Sequence, residues 1–193
     1  MRADGYNQVK REEEGFPKNN EKKEREKTME KMLLNENWKL RDASETEWIP
    51  GTVPGSVYQD YLNAGKMEDP YWRANEEQAL ELMKRDFEYR TVFDVSGDML
   101  AHDEVILHFD GIDTVADICL NGQTLGHVDN MHRTWEYRVK ELLKKEGNEL
   151  SVRITSPVNY IYDLYEKDPL IVGSSDAMRG CSYLRKAHCM YGW

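Results

Sequence analysis

Residues Val105–Val139, VILHFDGIDTVADICLNGQTLGHVDNMHRTWEYRV, decide the fold class. Val105, Leu107 and Phe109 alternate with Ile106, His108 and Asp110, the two-residue period of a strand with one buried face. Gly111 breaks the run. A second alternation follows, with Thr114, Ala116, Ile118 and Leu120 set against Val115, Asp117 and Cys119. Asn121-Gly122 then suits a two-residue hairpin turn in which both positions need positive φ. Gln123–Val128 is predicted to return from that turn, and Trp135, Tyr137 and Val139 mark a fourth strand. The expectation is an antiparallel β meander at the centre of a sandwich.

Upstream, Trp38–Arg41 reads as a short strand opening on a large anchor. Ile49–Pro54 is extended, because Pro50 and Pro54 each bias the preceding residue away from α. Ser56 and Gln59 make a capping box ahead of Val57, Tyr58, Tyr61 and Leu62 on one helical face, and Gly65 ends that helix. Asn75 is placed to cap a second short helix with Glu76 and Glu77 in its first turn and Ala79, Leu80 and Met83 inward. Phe87 to Val95 carries the longest clean strand alternation, after which Ser96-Gly97-Asp98 turns the chain. Downstream, Lys140–Glu146 reads as one or two helical turns closed by Gly147. Leu150, Val152 and Ile154 point inward from another strand. Ser156-Pro157 starts a helix with Pro at its first position, and Ile161, Leu164 and Tyr165 form its apolar face. Lys167–Lys186 reads as a long loop with flexible points at Gly173-Ser174-Ser175 and Arg179-Gly180. Short strands, turn signals and helices confined to connections give an all-β sandwich and not a βαβ crossover set.

Composition narrows the function. The chain has 193 residues, with 26 basic against 36 acidic side chains for a net charge of −10. That balance argues against nucleic acid and anionic membrane as partners. No apolar run approaches the ~20 residues that span a bilayer, and no apolar leader stretch is visible. Cys119, Cys181 and Cys189 make no paired framework. Cys119 lies in a strand pattern as a buried thiol, and the expected compartment is a reducing cytoplasm. Residues 1–33 differ from the rest: charged, nearly balanced, and without apolar periodicity. They are expected to be a disordered tail, with a nascent helix over Glu21–Leu34 as the alternative. Glu24-Arg25-Glu26 would be encoded by purine-rich codons upstream of Met29, so an internal start at Met29 is a further reading. Residues 34–193 form the folded domain.

The central stretch also carries a resemblance. A strand ending in Phe109-Asp110-Gly111, followed by one running into Asn121-Gly122, resembles the N-terminal sugar-binding domain of glycoside hydrolase family 2. Three further segments resemble its β-mannosidase branch: Trp48 to Val57 (WIPGTVPGSV), Asp69-Pro70-Tyr71-Trp72 with Asn75-Glu76, and Arg185 to Trp193 (RKAHCMYGW). The resemblance covers roughly 34–193. It implies a jelly-roll sandwich, galactose-binding-domain-like, in a hydrolase that releases terminal non-reducing β-D-mannose.

Retaining glycoside hydrolysis needs two carboxylates about 5–5.5 Å apart, and no pair among the 36 acidic residues is singled out by its context. The resemblance puts both catalytic glutamates in a downstream (β/α)8 barrel, so no catalytic residue is assigned here. No nucleophile elbow accompanies Gly173-Ser174-Ser175 or Gly180-Cys181-Ser182. Neither His127 with His132 nor His188 with Cys189 and Cys181 has metal-like spacing, and no metal or other cofactor is expected.

By resemblance, Tyr191-Gly192-Trp193 begins a motif whose next residue is an Asp reaching the −1 sugar subsite, and this chain stops before it. The substrate-binding candidates are therefore Gly192 and Trp193, with Asn75 and Glu76 bordering the same cleft. Trp193 also reads as a packing residue, and Asn75 with Glu76 as a helix start. The implied partners are β-mannoside oligosaccharides and a catalytic barrel of the same polypeptide. A domain severed from that barrel is expected to self-associate through the exposed face. A free-standing carbohydrate-binding module and a sandwich used for protein contacts are the other readings.

Overall fold

Asn121 and Gly122 adopt φ of 51° and 82° in the computed structural model, the left-handed pair of a type I′ turn. The turn joins β5 (Ala116–Leu120) to β6 (Gln123–Val128) with Leu120 opposite Gln123, as a two-residue loop requires; a shift between Ile118 and Cys119 then moves the register by one residue and sets Ala116 opposite Val128. The structure describes residues 29–169 and 183–187. The chain divides into two units, Met1–Lys31 and Met32–Trp193. The tail expectations before residue 29, the flexible points at 173–175 and 179–180, Cys181, His188, Cys189 and the candidates Gly192 and Trp193 lie outside the described residues. Residues 29–34 are not helical, so the alternative of a helix running to Leu34 does not hold there.

The other strands are β1 (Lys39–Asp42), β2 (Ile49–Pro50), β3 (Phe87–Phe93), β4 (Ile106–Phe109), β7 (Trp135–Arg138) and β8 (Asn148–Ile154). Six form one antiparallel sheet in the order β2-β1-β3-β8-β5-β6, and β4 pairs with β7 in a second sheet. Side chains at matched register line up across the large sheet. Leu40, Tyr89, Val152 and Ile118 make one such row; Thr91, Leu150 and Leu120 make another. Leu40, Ala116, Ile118, Leu120 and Val128 are fully buried. Leu107, Phe109, Trp135 and Tyr137 from the small sheet pack on this core, and each fully buried Leu or Ile stabilises the fold by about 1.5–3 kcal/mol. The result is the all-β sandwich expected, with short helices in the connections: α1 (Val57–Asn63), α2 (Asn75–Leu82), α3 (Gly97–Ala101) and α4 (Pro157–Lys167).

Several local expectations are corrected. The meander is not one sheet, and it is not central. β4 and β7 belong to the small sheet, the β5–β6 hairpin lies toward one edge of the large one, and β3 with β8 occupies its middle. Alternation reports a buried face but not a pairing partner. At Gly126 a Cβ would lie 3.0 Å from the Tyr137 ring, so the glycine lets the two sheets approach. Ser96 does not simply turn the chain; its hydroxyl accepts from the Met99 amide and caps α3. The Ser56 box is half-made, because Gln59 bonds forward to Asn63 at 2.9 Å. Ala74, not Asn75, precedes α2, and Leu82 is buried where Leu80 is 61% exposed. Cys119 is half-buried beside a register shift in the hairpin.

Asn148 is fully buried at the start of β8. Its amide donates to Lys144 O and Phe93 O, and its oxygen accepts from the Lys144 N–H and the Asn121 amide. Asn148→Ala leaves at least two of these groups unpaired, and each unpaired buried group costs about 1–3 kcal/mol. Urea unfolding is expected to show a loss of about 2–4 kcal/mol. A loss under about 1 kcal/mol would mean that water takes over the role.

Candidate functional site

The segment from Asp69 to Glu76 is a loop tied to itself. Helix α1 ends at Gly65, whose φ is 66°. Gly65 N donates to Leu62 O and Lys66 N to Tyr61 O, a Schellman closure that releases the chain at a fixed angle. The Asp69 carboxylate then accepts from the Tyr71 amide at 2.9 Å. Asp69 O accepts from the Trp72 amide at 3.1 Å and from Asn75 Nδ2 at 2.9 Å. Asn75 is therefore the first residue of α2 and holds the loop shut, a role different from the cap expected of it. Tyr71 is 96% exposed and Trp72 62% exposed, with the Arg73 guanidinium 5.4 Å from the Trp72 ring centre. Glu76 is exposed at the start of the helix. Flat aromatic surface beside a cation and a carboxylate can stack on the apolar face of a ring and accept hydrogen bonds from hydroxyls.

A second locus lies where the described chain ends. Leu184 is buried. Arg185 bridges Asn130 in parallel, and Arg185 O accepts from the Met131 amide at 3.0 Å. The Ala187 amide donates to Met131 Sδ, and Lys186 pairs with Asp113. Asn130 itself accepts from the His132 amide and, through its carbonyl, from Trp135 Nε1. Residues 183–187 thus lie along the 129–132 link, immediately before the segment that contains Gly192 and Trp193. Asn130, Met131 and Asp113 belong to no motif of the sequence, and Lys186 only to the Arg185 to Trp193 likeness; an apolar Met inside a polar link is the available signal. Among the described residues, no hydrogen bond or ion pair joins the 69–76 loop to this second locus.

Several acids elsewhere are already paired. A cavity of about 440 Å³ opens beside Tyr61, Met67, Gln78 and Leu82, with Glu45, Lys66, Glu81 and Arg85 around it. Arg85 pairs with Asp42 and Glu45, Lys66 with Glu47, and Lys84 with Glu81. Burial pushes the Asp42 carboxyl upward, but the Ser44 hydroxyl and amide and the Arg85 guanidinium outweigh it and hold Asp42 below the usual carboxylate range. Burial, with Asp42 nearby, pushes the Tyr61 phenol up to about 12. His108 sits between Glu136 and Asp110, whose hydrogen bonds raise its pKa. His127 bonds Asp117 at 2.8 Å. Among the described residues no group of three or more His, Cys, Asp or Glu is placed to hold a metal ion.

The rigidity of the aromatic loop can be measured. In Asp69→Ala the Tyr71 amide loses its acceptor, and its hydrogen exchange is expected to accelerate by roughly tenfold. Exchange in β3 and β8 should be unchanged. An unchanged Tyr71 amide would show that the loop is held by other means.

Residues 38–193 match the family of glycosyl hydrolase 2 galactose-binding domain-like domains. The chain is 30% identical over 167 residues to a β-mannosidase of Bos taurus, covering 83% of this chain and 19% of that protein. It is 31% identical over 166 residues to β-mannosidase B of Thermothelomyces thermophilus, again covering 83% and 19%. The crystal structure of β-D-mannosidase from Dictyoglomus thermophilum superposes with a TM-score of 0.81 at 34% identity, over 86% of this chain and 20% of that one. Amycolatopsis orientalis exo-chitosanase CsxA, at 17% identity and a TM-score of 0.54, shares the fold over 61% of this chain and 16% of its own. The chain therefore spans about a fifth of the length of the curated relatives it matches. With the sandwich topology and a family match running from Trp38 to Trp193, the chain belongs to the galactose-binding-like domain family of the glycosyl hydrolase 2 enzymes.

Proposed function

We propose that this chain works as the N-terminal sugar-binding domain of a β-mannosidase-like glycoside hydrolase that releases terminal non-reducing β-D-mannose. The observation that carries this reading is the 34% identity and TM-score of 0.81 with a β-D-mannosidase of which the chain covers only 20%. The catalytic acid and nucleophile belong to a (β/α)8 barrel, and this domain shapes the rim of its cleft. In this reading Glu76 accepts hydrogen bonds from substrate hydroxyls and Asn75 fixes the loop that presents it. Gly192 and Trp193 supply a wall. The net charge of −10 disfavours nucleic acid as a partner. Tyr71, Trp72 and Leu80, exposed on the loop and α2, are the apolar surface through which the chain on its own self-associates.

One observation favours the second reading, a free-standing binding module: Tyr71, Trp72 and Arg73 already form an exposed platform. The two readings separate in solution. Rigorously purified chain is expected to release no phenol from an aryl β-mannoside. It is also expected to show no saturable NMR shifts with β-manno-oligosaccharides below about 1 mM, because half a pocket buries too few ligand atoms to offset the several kcal/mol lost on association. Saturable binding mapped to Tyr71 and Trp72 would favour the module. Turnover that follows protein amount through repurification would contradict the domain reading outright.

A further inference from the structure

Asn121-Gly122 is the single Asn-Gly pair of the sequence. In a flexible peptide this pair is the most prone of all to lose its side-chain amide, since glycine leaves the following amide nitrogen unhindered. The Gly122 nitrogen gives up its proton to base and attacks Asn121 Cγ. A carbon–nitrogen bond forms and ammonia departs with Nδ2. Water then opens the succinimide at either carbonyl, giving aspartate or isoaspartate.

The fold holds the side chain that this reaction would attack. Asn121 Nδ2 donates to Leu142 O at 2.7 Å and to Asn148 Oδ1 at 3.0 Å. Asn121 Oδ1 accepts from the Glu149 amide at 2.9 Å, and the Asn121 amide donates to Glu149 O at 2.8 Å. The side chain is thus clamped by three hydrogen bonds to two segments, the turn at Leu142 and the start of β8, and any rotation that brings Cγ toward the Gly122 nitrogen breaks these bonds together. Gly122 itself is exposed, with open space around it, so solvent base reaches the turn freely. Protection rests on the clamp and not on burial of the backbone.

We propose that Asn121 is a latent deamidation site, shut in the native fold and exposed when the β5–β6 turn separates from β8. The product cannot close the clamp again. A carboxylate has no hydrogen to give to Leu142 O or Asn148 Oδ1, and it sets a negative charge against both acceptors. Isoaspartate also adds a main-chain methylene to a turn that has room for two residues. Conversion in the open state therefore leaves a permanently weakened fold, and the converted fraction grows with the share of time this end of the sheet spends open.

The test uses the whole chain, incubated in mildly alkaline buffer with and without urea, with peptide mass spectrometry and isoaspartate detection at position 121. Conversion is expected to be at least ~10-fold faster in urea. After urea is removed, the converted fraction, separated by ion exchange, is expected to refold with a lowered midpoint or not at all. Asn121→Asp supplies a second readout: its deficit in midpoint against the parent chain should shrink on acidification, as the protonated carboxyl regains one donor. Equal conversion with and without urea would overturn the proposal. So would a converted chain, or an Asn121→Asp variant, with the parent's midpoint across the pH range.

Discussion

Strand β8 is zipped on both sides, and the rest of the sandwich is arranged around that constraint. Phe87 to Phe93 pairs with Ile154 to Asn148 along one edge, and Ala116 to Leu120 pairs with Ile154 to Leu150 along the other. Leu150 and Val152, buried at its centre, can face the core only in this register, because a shift by one residue would turn them to solvent. The β3 ladder joins residues 55 to 67 positions apart and the β5 ladder residues 30 to 38 apart, closures that local propensity does not favour. Asn148 and Asn121 fix its end. One fully buried amide ties β3, the 142–144 turn and the hairpin to the first residue of β8. A group so placed is stabilising only while all its partners are present, so the register and the clamp depend on each other.

The same sheet carries the helical layer that displays the aromatic loop. Asp60, buried in α1, accepts from the Tyr89 hydroxyl of β3 at 2.8 Å and from the Thr52 amide at 3.2 Å. Burial, with Asp60 next, drives the Tyr89 phenol far above its ordinary range, so the hydroxyl stays a donor. Tyr58 reaches from α1 to Ala79 O in α2. Ser156 and Asn159, at the start of α4, bond Met83 O and Lys84 O just beyond α2. The loop between α1 and α2 therefore stands on elements fixed at both ends, the arrangement by which a sandwich lends precision to a site outside its strands.

How much was legible follows from how local each determinant is. Asn121-Gly122 announced its turn because two positive φ angles are a demand on two residues. Phe87 to Val95 and Leu150 to Ile154 announced strands because alternation is a property of one segment. Pairing is not: nothing in Ile106–Phe109 says that its partner is Trp135–Arg138 across thirty residues, and so the small sheet was merged into a meander. Asn75 looked like a cap because Asn often is one; the Asp69 carbonyl that captures its side chain depends on a loop conformation no propensity encodes. Leu80 and Leu82 exchanged burial for a similar reason, since a helix this short is oriented by what it packs on. The family likeness makes the 69–76 loop and the Arg185 side of the second locus legible, whereas the pairing of Arg185 with Asn130 joins distant segments through backbone bonds, and only Met131, apolar within a polar link, hints at it.

The proposed role of this sandwich is that of a working part of a β-mannosidase-like hydrolase and not of a module in its own right. It is tested most directly by grafting residues 38–193 in place of the corresponding fifth of the Dictyoglomus thermophilum β-D-mannosidase. If the domain shapes the cleft as described, the chimaera should hydrolyse an aryl β-mannoside with a kcat/KM within about 100-fold of the parent, the loss expected of a rim misplaced by about 1 Å. Glu76→Gln in the chimaera should lower kcat/KM further, with its melting temperature unchanged. A soluble chimaera that melts cooperatively yet shows no turnover, or one whose activity is indifferent to Glu76, would contradict the account.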